Sequence, residues 1–169
     1  KYFGTKLKPM IKLNTSSVTL KIGQSTTGLK VTMSNGDSVL SWKSSNTKVV
    51  KVSKTGKLVA QKRAGKATVV VKLNSGLSKK IPVTVQKTTV KTTKITGLKN
   101  KITLNAGKTT TLKPVLQPFT SQEKITYISS NKRVVTVNSK GVLKAIGKGT
   151  ARIIVKSGKQ KFVINVKVV

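Results

Sequence analysis

The chain has 169 residues, with 35 lysines and arginines against two acids for a formal charge of +33, and it contains neither cysteine nor histidine. Disulfides, thiolate or imidazole metal sites and histidine-activated nucleophiles are thereby excluded. Acid–base work by paired carboxylates needs two acids about 5–10 Å apart, and Asp37 and Glu123 fall in different halves of the chain, so no enzymatic activity, cofactor or metal site is expected.

High charge can mark disorder, but the apolar 36% of this chain is patterned. In the first half, runs rich in Val, Ile, Thr and Leu predict strands near residues 17–22, 26–33, 39–43, 48–53, 57–61, 66–73 and 79–85. Turn residues punctuate them at Gly23, 35–36, Asn46, 54–56 and 74–76, and no helical period appears. About seven short strands at this spacing predict a sandwich of two antiparallel sheets. Alternation assigns Val18, Leu20 and Ile22 to one strand face, Leu58 with Ala60 and Val83 with Val85 to others. Trp42 is read as a large core residue between the sheets, with Leu40 on its face, rather than as a sugar-stacking platform. The Ser-Ser-Asn triplet ending at Asn46 is read as a turn whose Asn tolerates positive φ and whose hydroxyls bond nearby backbone, rather than as a binding loop.

Residues 87–94, composed of Thr, Lys and Val without Gly or Pro, predict a short extended linker and a semi-rigid arrangement. Beyond it the pattern recurs at a shift of 84–85 residues. Residues 18–23 lie over 102–107, 42–46 over 127–131, 49–53 over 134–138, 56–60 over 141–145, 65–71 over 149–155, and 81–85 near 162–166. Tyr127 takes the place of Trp42. Six blocks in one order predict two copies of one domain, residues 1–86 and 87–169. No stretch approaches the ~20 apolar residues of a membrane span, and no charged-then-apolar signal segment opens the chain. The start at Lys1 without Met leads to the expectation of a fragment of a longer precursor that carries its signal and anchor elsewhere.

These blocks resemble the bacterial immunoglobulin-like domain of group 2, found in tandem in intimin- and invasin-like adhesins and Gram-positive surface proteins. The resemblance rests on Trp42 to Asn46, Val50 to Val52, Gly56 to Ala60 and Gly65 to Val71 and their counterparts, and covers about residues 10–86 and 94–169. It implies an all-β protein of two tandem immunoglobulin-like β-sandwich domains. It also implies a non-enzymatic module at the bacterial surface or secreted, serving as stalk or adhesion segment, and carries over no site residues. Some surface immunoglobulin-like domains bind calcium or form isopeptide cross-links; both need carboxylates that this chain lacks.

The charge is spread, 17 basic residues in 1–86 and 18 in 87–169. Like charges within a Debye length of about 8 Å repel, and a polyanionic neighbour offsets that cost. Cell-wall teichoic acid or another anionic polysaccharide fits best, with a host surface glycan or protein as a further partner. Nucleic acid is disfavoured, because only six aromatic residues are present and several belong to cores. Lysine makes up 32 of the 35, which favours loose ionic contact over bidentate recognition. Candidate contacts are Lys51, Lys57, Lys62, Arg63, Arg133 and Lys144. The alternative is an accessory wall- or glycan-binding module of a larger secreted enzyme.

Overall fold

A computed structural model describes residues 8–169, and it is all β, with no helix among the described residues. Two compact units emerge, the first ending at Thr89 and the second running Val90–Val169.

The first unit is built from β1 (Ile11–Leu13), β2 (Val18–Lys21), β3 (Ser25–Thr26), β4 (Val31–Met33), β5 (Val39–Ser44), β6 (Val50–Val52), β7 (Leu58–Ala60), β8 (Gly65–Leu73) and β9 (Ser78–Gln86). One sheet has the order β2-β9-β8-β5, the other β3-β7-β6, and β1 with β4 forms a separate ribbon. Their inner faces supply the core: Val18, Leu20, Val50, Leu58, Val69, Val71, Leu73, Ile81, Val83 and Val85 are all at most 2% exposed. Period-two alternation produces this directly. In β8 the residues Ala67, Val69, Val71 and Leu73 point inward, while Lys66 and Lys72 point out.

Three local expectations change. The run 26–33 divides, because Thr26 Oγ1 accepts the backbone N–H of Gly28 at 3.0 Å and the chain turns there from the three-stranded sheet into the ribbon with β1. The sheets are not wholly antiparallel either: β2 runs parallel to β9. The two strands are connected through the whole domain instead of by a hairpin, so no tight turn imposes opposite directions. Leu40 is 56% exposed and does not share the core with Trp42. A register shift between Val39 and Ser41 inserts an extra residue into β5 and breaks its alternation.

The second unit repeats this plan with β10 (Lys94–Thr96), β11 (Lys101–Leu104), β12 (Thr109–Thr111), β13 (Val115–Gln117), β14 (Ile125–Ser129), β15 (Val135–Val137), β16 (Val142–Ala145), β17 (Gly149–Ser157) and β18 (Gln160–Val168). Its sheets are β11-β18-β17-β14 and β12-β16-β15, again with one parallel pair, β11 with β18. Val135, Leu143, Ile153, Val155, Ile164 and Val166 form the core. Part of the segment read as linker belongs to this unit: Val90 and Thr92 are buried, and the Val90 and Thr92 N–H groups bond to Gln122 and Glu123.

The Ser-Ser-Asn turns hold by side-chain bonding and not by positive φ, which no non-glycine residue among those described adopts. Asn46 Oδ1 accepts the Lys48 N–H and Asn131 Oδ1 that of Arg133. Ser45 Oγ and Ser130 Oγ accept the N–H groups of Thr68 and Arg152 on the adjoining strand. The sequence identified the triplet as structural, and the geometry is that of an Asx turn.

Candidate polyanion-binding surface

Trp42 and Tyr127 are half-buried at equivalent places, each ring lying on a glycine. A Cβ added to Gly56 would come within 2.8 Å of Trp42 Cζ2, and one added to Gly141 within 2.8 Å of the Tyr127 hydroxyl. These glycines, at φ +83° and +76°, therefore serve a turn and an aromatic shelf at once. Tyr127 also packs against the second core, and burial raises its phenol pKa above the usual 10.0.

Both acids sit just before equivalent strands and secure equivalent corners. Asp37 Oδ2 accepts the Ser75 hydroxyl at 2.5 Å, while Oδ1 accepts the N–H groups of Ser38 and Ser75 at 2.9 and 3.2 Å, tying the start of β5 to the β8–β9 turn. The Ser75 hydroxyl above all holds this carboxyl below its ordinary 3.8, desolvation opposing it and the two backbone donors adding to it. Glu123 Oε2 accepts the Thr92 N–H at 2.6 Å, and its carboxylate lies against the α-carbon of Gly158 in the β17–β18 turn, where any side chain would collide with it. Among the described residues no group of three or more histidines, cysteines or acids could hold a metal.

The six basic residues singled out from sequence are all exposed. Lys51 projects from β6 opposite Val59 of β7, and Lys57 precedes β7 opposite Ser53, so these two stand on neighbouring strands of the three-stranded sheet. Lys62 and Arg63 lie off that sheet, in the loop between β7 and β8. In the second unit Lys144 stands at the middle of the corresponding sheet, between Thr109 and Thr136, while Arg133 belongs to the turn after β14.

A denser arrangement on the four-stranded sheet of the second unit escaped the sequence reading. Its outward residues fall into cross-strand rows. Thr126, Lys156 and Lys161 form the first; Ile128, Ile154 and Val163 the second; Ser130, Arg152, Asn165 and Lys101 the third; Thr150, Lys167 and Thr103 the fourth. The third and fourth rows line an open groove of about 700 Å³. Five cations and no acid occupy this face. Each strand shows only its own alternation; sequence carries the outward residues, but the registers that align them into rows come from strand pairing.

Residues 90–168 match the family described as the bacterial Ig-like domain (group 2). A kappa-carrageenase from Pseudoalteromonas carrageenovora is 52% identical over 58 residues, 34% of this chain and 15% of that enzyme, so the match takes in a small share of that relative's length. Among solved structures, domains 4 and 5 of the S-layer protein SbsC align with 96% of this chain and 98% of their own at 20% identity and a TM-score of 0.46. A bacterial Ig-like domain containing GH10 xylanase from termite gut aligns over 41% of this chain and 18% of that one, at 24% identity and a TM-score of 0.37.

Proposed function

We propose, from the premise that residues 90–168 belong to the bacterial Ig-like domain (group 2) family, that the whole chain is a pair of such domains acting as a non-catalytic extracellular module that contacts anionic polysaccharide. The observation that carries this reading is the charge: +33, with the two acids both engaged at turn corners and so removed from the open sheet faces. A polymer with regularly spaced negative groups is the partner that such diffuse charge suits, because many weak contacts add without any one having to be precise. The first unit, which repeats the second strand for strand, is read as a copy of the same domain, and the chain serves as stalk or adhesion segment at the surface of a bacterium.

A second reading has its own support. Identity of 52% over 58 residues to part of a kappa-carrageenase favours an accessory role, in which these domains hold a polysaccharide-acting enzyme near its substrate. Both readings expect the chain to bind sulfated or teichoic polymers immobilised on resin and to elute as salt rises, since condensed counterions are released on binding. Retention that ignores salt, or no retention at low ionic strength, refutes both. Carrageenan bound well ahead of teichoic acid selects the accessory role, and the reverse order the surface stalk.

A further inference from the structure

We propose that the outer face of the four-stranded sheet in the second unit is the polysaccharide platform, the apolar row Ile128, Ile154 and Val163 taking the sugar rings and the flanking basic rows taking their anionic groups. The inference rests on the functional reading above and adds to it a place and a binding mode.

The fold does not require aliphatic residues in that row. In the first unit the corresponding cross-strand row reads Lys43, Val70 and Lys80, so the position tolerates lysine at both ends. In the second unit Ile128 is 47% exposed and Val163 36% exposed, and leaving them in water gains nothing for folding. Neighbouring strands lie about 4.8 Å apart, so three residues span roughly 10 Å across the sheet, and same-face neighbours along a strand are roughly 7 Å away. A chain of sugar rings laid along the apolar row would rest its C–H faces on Ile128, Ile154 and Val163. Its rim substituents would then reach Lys156 and Lys161 on one side and Arg152 and Lys101 on the other, the rows immediately adjoining. Lys167, one row further out, extends the positive side into the groove.

Charge decides between occupants. A second copy of this face would oppose five cations to five, which repel within a Debye length. No aromatic side chain projects from these rows, so the stacking on which single-stranded nucleic acid depends is missing. An anionic polysaccharide uses both the aliphatic row and the cations.

The test is binding of the 169-residue chain to dextran sulfate, with uncharged dextran, inorganic polyphosphate and a single-stranded DNA oligomer as further probes. Three variants are compared after thermal unfolding confirms that each is folded. Ile128→Thr with Val163→Thr should weaken dextran sulfate about fivefold and leave polyphosphate unchanged, because polyphosphate has no apolar face. Lys101→Ser, Arg152→Ser and Lys167→Ser together should weaken both by tenfold or more and reduce the number of ions released by roughly three. Lys51→Ser, Lys57→Ser and Lys144→Ser, which remove equal charge from the other sheets, should cost less than threefold. Equal losses from the two triple variants, with none from the double, overturn the platform while leaving polyanion binding intact. DNA bound more tightly than dextran sulfate, with the same variants weakening it, overturns the choice of occupant. Failure of the unaltered chain to bind dextran sulfate even at low salt removes the functional reading itself.

Discussion

Leu73 in the first unit and Ser157 in the second end the same long strand, pair with the same point on the neighbouring strand, and are 0% and 1% exposed. Around Leu73 the corner is apolar inside, and its polar ties lie outside, where Asp37 holds Ser75 and Asn74 Nδ2 donates to Ser38 Oγ. Around Ser157 the polar ties go inside. Its hydroxyl meets Thr92 Oγ1 at 2.7 Å, which also meets Ser121 Oγ at 2.8 Å, and Glu123 takes the Thr92 N–H. The second unit thus incorporates the incoming chain at residue 92 into its interior through hydrogen bonds. The same corner is therefore closed by hydrophobic burial in one unit and by a satisfied polar network in the other, and each solution depends on its own surroundings.

Exchange of the two residues breaks this comparison most severely. Leu73→Ser should destabilise the first unit by about 3–5 kcal/mol, since it removes a fully buried side chain and leaves a hydroxyl without the Thr92 counterpart. Trp42, the chain's single tryptophan, lies in the first unit, so its fluorescence in denaturant follows that unit alone. Ser157→Leu should cost the second unit about 2–4 kcal/mol by overpacking and by taking a partner from Thr92, read by calorimetry. Equal tolerance of both exchanges would show that the corner is plastic.

The aromatic shelves make the opposite comparison, one device used twice. Gly56→Ala and Gly141→Ala should each cost about 2–4 kcal/mol, combining a left-handed backbone with collision against Trp42 or Tyr127. Gly23→Ala is the control. Its φ is +77°, but a Cβ there meets nothing within 4 Å, so the backbone alone should cost about 1–2 kcal/mol. If all three variants melt alike, the rings contribute nothing to the glycine requirement.

How much of this was legible in sequence follows from what kind of fact each is. Val18, Leu20, Leu58, Ala60, Val83 and Val85 were readable as core because strand alternation is local, and the repeated strand plan because the blocks recur. Leu40 was misread because a bulge is set by the partner strand's register, which the residues of β5 do not state. The break at Gly28, the parallel pairing of β2 with β9, and the glycine beneath each aromatic ring are likewise relations between distant segments. The row of Ile128, Ile154 and Val163 is the clearest case: three residues up to 35 positions apart that become neighbours only through two strand pairings. Of the cations chosen from sequence, Lys51 and Lys57 meet on neighbouring strands while Lys62 lies off that sheet, because their grouping too is set by strand pairing.

A smaller effect tests whether the second unit's network depends on its acid. Glu123→Ala leaves the Thr92 N–H, in a part-buried setting, without its 2.6 Å acceptor, and should cost about 1–2 kcal/mol. Exchange of the Thr92 amide hydrogen should quicken in parallel. Unchanged exchange would mean that the network holds Thr92 through its hydroxyl alone.

The smallest expected effect belongs to Asp37, and pH brings it out. Its carboxyl lies at the surface, yet the Ser75 hydroxyl and two backbone donors favour the ionised form and lower its folded pKa below the ordinary 3.8. A group lowered in this way stabilises the folded state above its unfolded pKa and loses that contribution as pH falls through the folded value. Stability of the first unit, followed through Trp42, should therefore begin to decline near pH 3.8 and go on declining below it. Asp37→Asn should flatten that part of the profile, because the amide keeps a carbonyl acceptor for Ser75 but has no proton to gain. Ser75→Ala should flatten it partly, by removing the largest of the three donors while the backbone N–H groups remain. The general repulsion among the basic residues is common to the unaltered chain and both variants, and it cancels between them. An Asp37→Asn profile that falls as steeply as the unaltered chain would assign the acid sensitivity elsewhere and leave Asp37 a turn residue whose charge is immaterial.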